Sequence, residues 1–153
     1  MPQYIIQKTQ SDCAPTAIIN AGKWSGKKIS FKNDYNRIFK EINCNWYGTK
    51  YKDIDQTLRR ELNSCAFIRK IKNPSFLKTT QHLENGEAAL ISYYYKRRKE
   101  IRCHIALFSG FINNNLIGHN ILSKPNEKIS MTKFIKMFYN PYGNVRVWHL
   151  SKK

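Results

Sequence analysis

Apolar residues fall into two regimes along the chain. Over the first third they recur at three- and four-residue spacing. Ala17, Ile18 and Ala21 follow Cys13; then come Tyr35, Ile38, Phe39 and Ile42, and then Tyr51, Ile54, Leu58 and Leu62. Such spacing lines one face of a 3.6-residue turn, so it predicts three helices. Ser11 and Asp12 stand before Cys13, Pro15 lies in the first turn, and Gly22 and Gly26 end the segment. The second helix is expected from about Lys32 to Ile42. Thr49, after Trp46-Tyr47-Gly48, can cap the third.

From Ala66 onward the pattern changes to short apolar and aromatic runs bounded by turn residues. Ala66 to Ile71, Ala88 to Tyr95, Ile101 to Phe111, Leu116 to Leu122 and Val145 to Leu150 read as strands. Lys96-Arg97-Arg98-Lys99 is a charged hairpin tip, and Asn113-Asn114-Asn115 a second turn. Ser75 to Leu83 and Met131 to Phe138 read as short helices. Helices first and antiparallel strands second is an α+β order. With 153 residues, 41% of them hydrophobic, and no Pro/Gly/Ser linker or repeat, the expectation is one domain over residues 1–153.

Charge changes the picture of partners. Lys and Arg number 27 against 10 acidic residues, a formal net charge of +17. Such a chain attracts an acidic peptide or protein, nucleic acid or an anionic surface. The bias toward Lys, Ile, Asn and Tyr fits an A/T-rich genome and suits a phage or mobile-element protein. No signal peptide and no apolar run of transmembrane length is visible, so a cytoplasmic protein with free thiols and no membrane span is expected.

The four cysteines, Cys13, Cys44, Cys65 and Cys103, form no C-x-x-C pair, so no zinc knuckle, thioredoxin motif or other metal or cofactor site is expected. Cys103 adjoins His104, but neighbouring strand residues face opposite ways and do not share an ion. Cys44 and Cys65 read as structural thiols. His82 and His149 read as surface or core-edge residues, and Trp24, Trp46 and Trp148 as core or groove. Tyr93-Tyr94-Tyr95 before the basic tip mixes aromatics with cations, as base-stacking surfaces do. The plainer reading is a strand with packed Tyr residues and a solvated tip.

One set of residues carries chemistry. A thiol acts as a nucleophile in its thiolate form, which a helix N-terminus and a neighbouring imidazole both favour. Cys13 is expected in the first turn of the first helix. His104 opens the apolar run to Phe108 and would serve as base. Asn120, on the next strand, is the candidate for orienting that imidazole, with His119 and Asn115 as rivals. Gln7, with Gln10 as its rival, and the Cys13 N–H could stabilise an oxyanion. Asp12 is either a helix cap or part of the site.

The run from Gln7 to Ala17 resembles the Q-x-x-x-x-D-C-G-x-x-A signature of the bacteriocin-processing, double-glycine leader peptidases, with Ala14 in place of Gly. These are papain-fold cysteine peptidases, often fused to peptide-exporting transporters. His104-Ile-Ala-Leu-Phe-Ser-Gly110 is similar to the context of the family's catalytic His. Asn120-Ile121 stands where the family has Asp-Pro; Asn is the orienting residue of papain itself. The resemblance runs from about Gln7 to Leu122 and implies a stand-alone peptidase. Its N-terminal helical subdomain would carry Cys13, packed on an antiparallel sheet carrying His104. It also implies hydrolysis of a peptide or isopeptide bond through Cys13, His104, Asn120 and Gln7; transamidation or deamidation would use the same Cys13 and His104. The charge motivates an alternative, a basic binding protein on the same scaffold, with catalysis weak or lost.

Overall fold

In a computed structural model of the chain, the described residues are 2–42, 50–121 and 124–153. Three helices lead: α1 (Cys13–Trp24), α2 (Phe31–Glu41) and α3 (Tyr51–Leu62). Then come β1 (Ala66–Ile71), α4 (Phe76–Glu84), β2 (Ala88–Arg97), β3 (Glu100–Ile112), β4 (Asn115–His119), β5 (Glu127–Ile129), α5 (Met131–Phe138) and β6 (Arg146–Lys152). The strands form one antiparallel sheet in the order β1-β6-β2-β3-β4-β5. The architecture is the expected α+β one, leading helices packed on an antiparallel sheet.

Strand alternation splits the core into two. Leu90, Ile105, Leu107, Trp148 and Leu150 point toward α1, α2 and α3. Ile91, Ala106, Phe108 and Val147 point to the other face, which Leu83 of α4 and Phe134 and Phe138 of α5 cover. Helix α1 is buried almost all round, from Ala14 through Trp24. An all-round apolar helix belongs in an interior, and α1 lies there between β3, α2 and α3. Its small residues permit that approach. A Cβ on Gly22 would stand 2.9 Å from the Ile29 side chain. Gly22 is therefore a packing position inside α1, and the helix ends two residues beyond it, at Trp24. The chain then turns at Gly26 with φ +82°.

Glu61 of α3 ties the three helices together. Its carboxylate is 3% exposed and takes Lys27 Nζ at 2.8 Å and Arg37 Nη1 of α2 at 2.6 Å. Burial alone would raise its pKa; the hydrogen bonds from Arg37 and Lys27 outweigh that and hold it at about 2.

Most expected elements appear at or near their bounds, including β1 and α5. Two differ. The three-residue β5, Glu127–Ile129, is too short to show a period and pairs with β4. Asn120 is not on β4: the strand ends at His119, and Asn120 turns the chain with φ +64°. Helix α3 starts at Tyr51 with Lys50 at the cap position. Cys44, Trp46, Thr49 and Leu122 lie outside the described residues.

Candidate active site

Cys13 is the first residue of α1 and is half-buried. The loop before it is held by Asp12. Asp12 occupies the cap position, yet its side chain makes no cap bond. The fully buried carboxylate turns back instead. Oδ1 accepts from the Thr9 N–H at 2.8 Å and the Thr9 hydroxyl at 2.9 Å, and Oδ2 from the Lys8 N–H at 3.0 Å and the Tyr35 hydroxyl at 2.6 Å. Burial opposes the charge, but these bonds prevail and hold the carboxyl below its ordinary value. Farther upstream, buried Asn20 of α1 clasps both backbone groups of Ile5.

His104 lies in the middle of the sheet, 8% exposed, opposite Tyr93 of β2. The Tyr93 ring meets it edge-on at 5.6 Å. Its Nε2 is 2.6 Å from the main-chain carbonyl of Asn120. A carbonyl only accepts, so Nε2 carries the hydrogen and Nδ1 keeps its lone pair. Burial lowers the pKa of the imidazole, against the opposing effect of the Asn120 carbonyl, and His104 is neutral at pH 7.

Asn120 reaches His104 through its backbone, because β4 has ended and the positive φ turns the chain there. Its own N–H donates to the Lys124 carbonyl at 2.9 Å. Its side chain is committed elsewhere. Oδ1 accepts from the Gln7 N–H at 3.0 Å, and Nδ2 donates to Gln7 Oε1 at 2.8 Å. Gln7 Nε2 donates to the Thr9 carbonyl at 2.8 Å. Gln10 accepts from Arg102 at 2.7 Å. The segment leading into Cys13 is thus pinned twice to the surroundings of His104, once through Asn120 and once through Arg102, two residues ahead of His104 on the same strand face. Burial, then the charges of Tyr95 and Cys13, raise the Tyr93 phenol far above the ordinary value.

The rival residues go elsewhere. His119 stacks on Tyr4 at 3.6 Å and bonds Ser109, Pro125 and Asn126. Asn115 bonds the Asn113 carbonyl within its own turn. Cys103 lies on the opposite face from His104, beside the Ser92 hydroxyl at 3.1 Å and Tyr51 at 3.4 Å. Cys65 is half-buried beside Ser25 and the Leu62 carbonyl. Trp24 and Trp148 are core residues, Trp148 donating to Asp55. Sequence reading missed Tyr93, Arg102 and Tyr35. Tyr93 meets His104 across the sheet, which only the β2–β3 register could have signalled, and Arg102 reaches the N-terminal loop at Gln10. Among the described residues, no three His, Cys, Asp or Glu side chains converge as a metal-holding group, and no helix is long and apolar enough to cross a membrane.

The histidines give a pH signature. Burial lowers the pKa of His104 and His119 and takes that of His149 to about 4. The unfolded chain, with His near 6.5, binds more protons below that value. Stability is therefore full above about pH 6.5 and declines as pH falls toward the folded values. Glu61 and Asp12, both depressed, subtract further stability only below about pH 4.5. Urea midpoints should stay level from pH 8 to 7 and drop between 6.5 and 5. A midpoint that rises on acidification contradicts the buried neutral imidazoles.

No protein-family model matches the chain, and no curated protein matches it in sequence. Solved structures do match. The peptidase domain of Streptococcus ComA, a bifunctional ABC transporter involved in a quorum-sensing pathway, is similar at TM-score 0.69 and 17% identity, covering 100% of both chains. A protein described as a C39-like peptidase from Bacillus anthracis is similar at 0.67 and 11%, covering 98% of this chain and 94% of that one. The peptidase domain of Streptococcus mutans ComA is similar at 0.60 and 17%, covering 97% and 98%. The fold of this chain is that of the C39-like, papain-like peptidase domains.

Proposed function

We propose that the protein is a cysteine peptidase that hydrolyses a peptide or isopeptide bond with Cys13 as nucleophile and His104 as base. One observation carries the reading. A buried, neutral imidazole is locked at Nε2 by the Asn120 carbonyl, and the loop that ends in Cys13 is tethered on both sides of it. His104 Nδ1 takes the thiol proton, and the Cys13 sulfur attacks the carbonyl carbon. The tetrahedral oxyanion is met by the Cys13 N–H and by the second amide hydrogen of Gln7 Nε2. Collapse breaks the C–N bond as the imidazolium returns its proton to the leaving amine. Water, deprotonated by His104, then hydrolyses the thioester and frees the thiol. Arg102, which bonds Gln10 of the loop leading to Cys13, favours an acidic substrate. The test is to incubate a proteome with wild type and Cys13→Ala and map new peptide termini. Termini that appear equally with both proteins refute the assignment.

In this reading Asn120 supplies its backbone to His104 and its side chain to Gln7. Asn120→Ala should therefore lower kcat/KM by only roughly ten- to a hundredfold, whereas losing the orienting group of a catalytic His costs roughly 10⁴-fold. A loss near 10⁴ at Asn120 assigns the orienting role to the side chain instead.

The exposed Lys96–Lys99 tip beside the half-exposed Tyr94 and Tyr95 favours a second reading, nucleic-acid binding on this scaffold. Binding to single-stranded DNA should then weaken linearly in log[salt]; no slope excludes it.

A further inference from the structure

A cleft of about 390 Å³, not lined by Cys13 or His104, lies where α4 meets β1 and β6. Its walls mix polar and apolar surface and carry positive charge. Arg69 of β1 and Lys78 of α4 line it, and no Asp or Glu does. At its floor two imidazoles stack face to face, His82 and His149, with centroids 4.0 Å apart and planes 6° apart. His82 is occupied: Nε2 donates to the carbonyls of Ala88 at 2.9 Å and Leu150 at 3.2 Å. His149 Nε2 is buried with no hydrogen-bond partner, and so is the hydroxyl of Thr79, a residue only 1% exposed. An unsatisfied buried polar atom costs stability, and two in one basic cleft point to a missing acceptor. The volume suits a small ligand rather than a protein surface.

We infer that this cleft is an anion site for a phosphate group, bound by Arg69 and Lys78 and by hydrogen bonds from the Thr79 hydroxyl and His149 Nε2. Phosphate offers several acceptor oxygens on one centre, which matches cations and short donors converging from two elements. Neutral His149 donates through Nε2–H; burial, His82 and Arg69 keep it uncharged at pH 7. The site is independent of the thiol chemistry, so it stands whether or not Cys13 cleaves peptides.

Calorimetric titration of the whole chain with inorganic phosphate, phosphoserine and adenosine monophosphate tests this. Saturable one-to-one binding is expected, unchanged in Cys13→Ala. Equal affinities assign the site to free phosphate; tighter binding of the esters assigns it to a phosphorylated ligand. Lys78→Ala should weaken binding roughly tenfold, and the charge-neutral Thr79→Val and His149→Phe roughly five- to tenfold each. Thermal unfolding of each variant checks that it remains folded. No saturable binding overturns the proposal. So does binding that Thr79→Val and His149→Phe leave untouched, because the attraction is then that of any basic surface.

Discussion

Cys13→Ala should abolish cleavage, lowering kcat/KM by roughly 10⁴-fold or more while leaving the melting temperature nearly unchanged. The size of the effect follows from the division of labour. Without the sulfur, substrate still binds and the oxyanion donors remain, but no covalent intermediate forms and water must attack directly. The small effect on stability follows from place. Cys13 is half-buried at the first turn of α1, where Ala is tolerated. The companion variant, His104→Ala, separates base from nucleophile. In wild type, Cys13 should be alkylated faster than Cys65 at pH 7, because the imidazole can take the thiol proton and the helix N-terminus favours thiolate. His104→Ala should return its rate to that of half-buried Cys65. Equal alkylation of Cys13 and Cys65 in wild type would sink the assignment.

What the sequence disclosed, and what it withheld, follows the range of the interactions. The stripe Tyr51, Ile54, Leu58 and Leu62 is legible because burial of one helix face is written into local spacing, and all but Tyr51 are buried. Cys13 and His104 stand out as the proposed nucleophile and base through short surrounding motifs. The role of Asn120 is less legible. Its number suggested a side chain on a strand aimed at His104. The backbone instead leaves the strand at that residue, and the side chain is spent on Gln7, 113 positions away. No periodicity reports a positive φ at a non-glycine residue. Gly22 looked like a helix stop because glycine often is one; only the Ile29 side chain against its Cα shows that it is a packing position. The phosphate cleft was illegible for the same reason. His82 and His149 are ordinary in sequence and become a stacked pair only when β6 pairs with β2.

Asp12→Ala should cost roughly 3 kcal/mol, lowering the melting temperature by roughly 6–12 °C in a chain of this size. It removes four hydrogen bonds at once, those from the Tyr35 hydroxyl, the Thr9 hydroxyl and the Lys8 and Thr9 backbone N–H groups. Asp12→Asn distinguishes the mechanism. As a helix cap, Asn is as good as Asp, and the change would be nearly neutral. In the observed latch both oxygens only accept, and an Asn amide would present N–H donors to the Lys8 N–H and the Tyr35 hydroxyl. Asn should therefore be nearly as damaging as Ala, with Tyr35→Phe costing about 1 kcal/mol. Cleavage should fall in both Asp12 variants even where they remain folded, because the loop held by this carboxylate carries Gln7 toward Asn120 and ends in Cys13. A stable, fully active Asp12→Asn would show that the loop is set by its tethers to Asn120 and Arg102 alone.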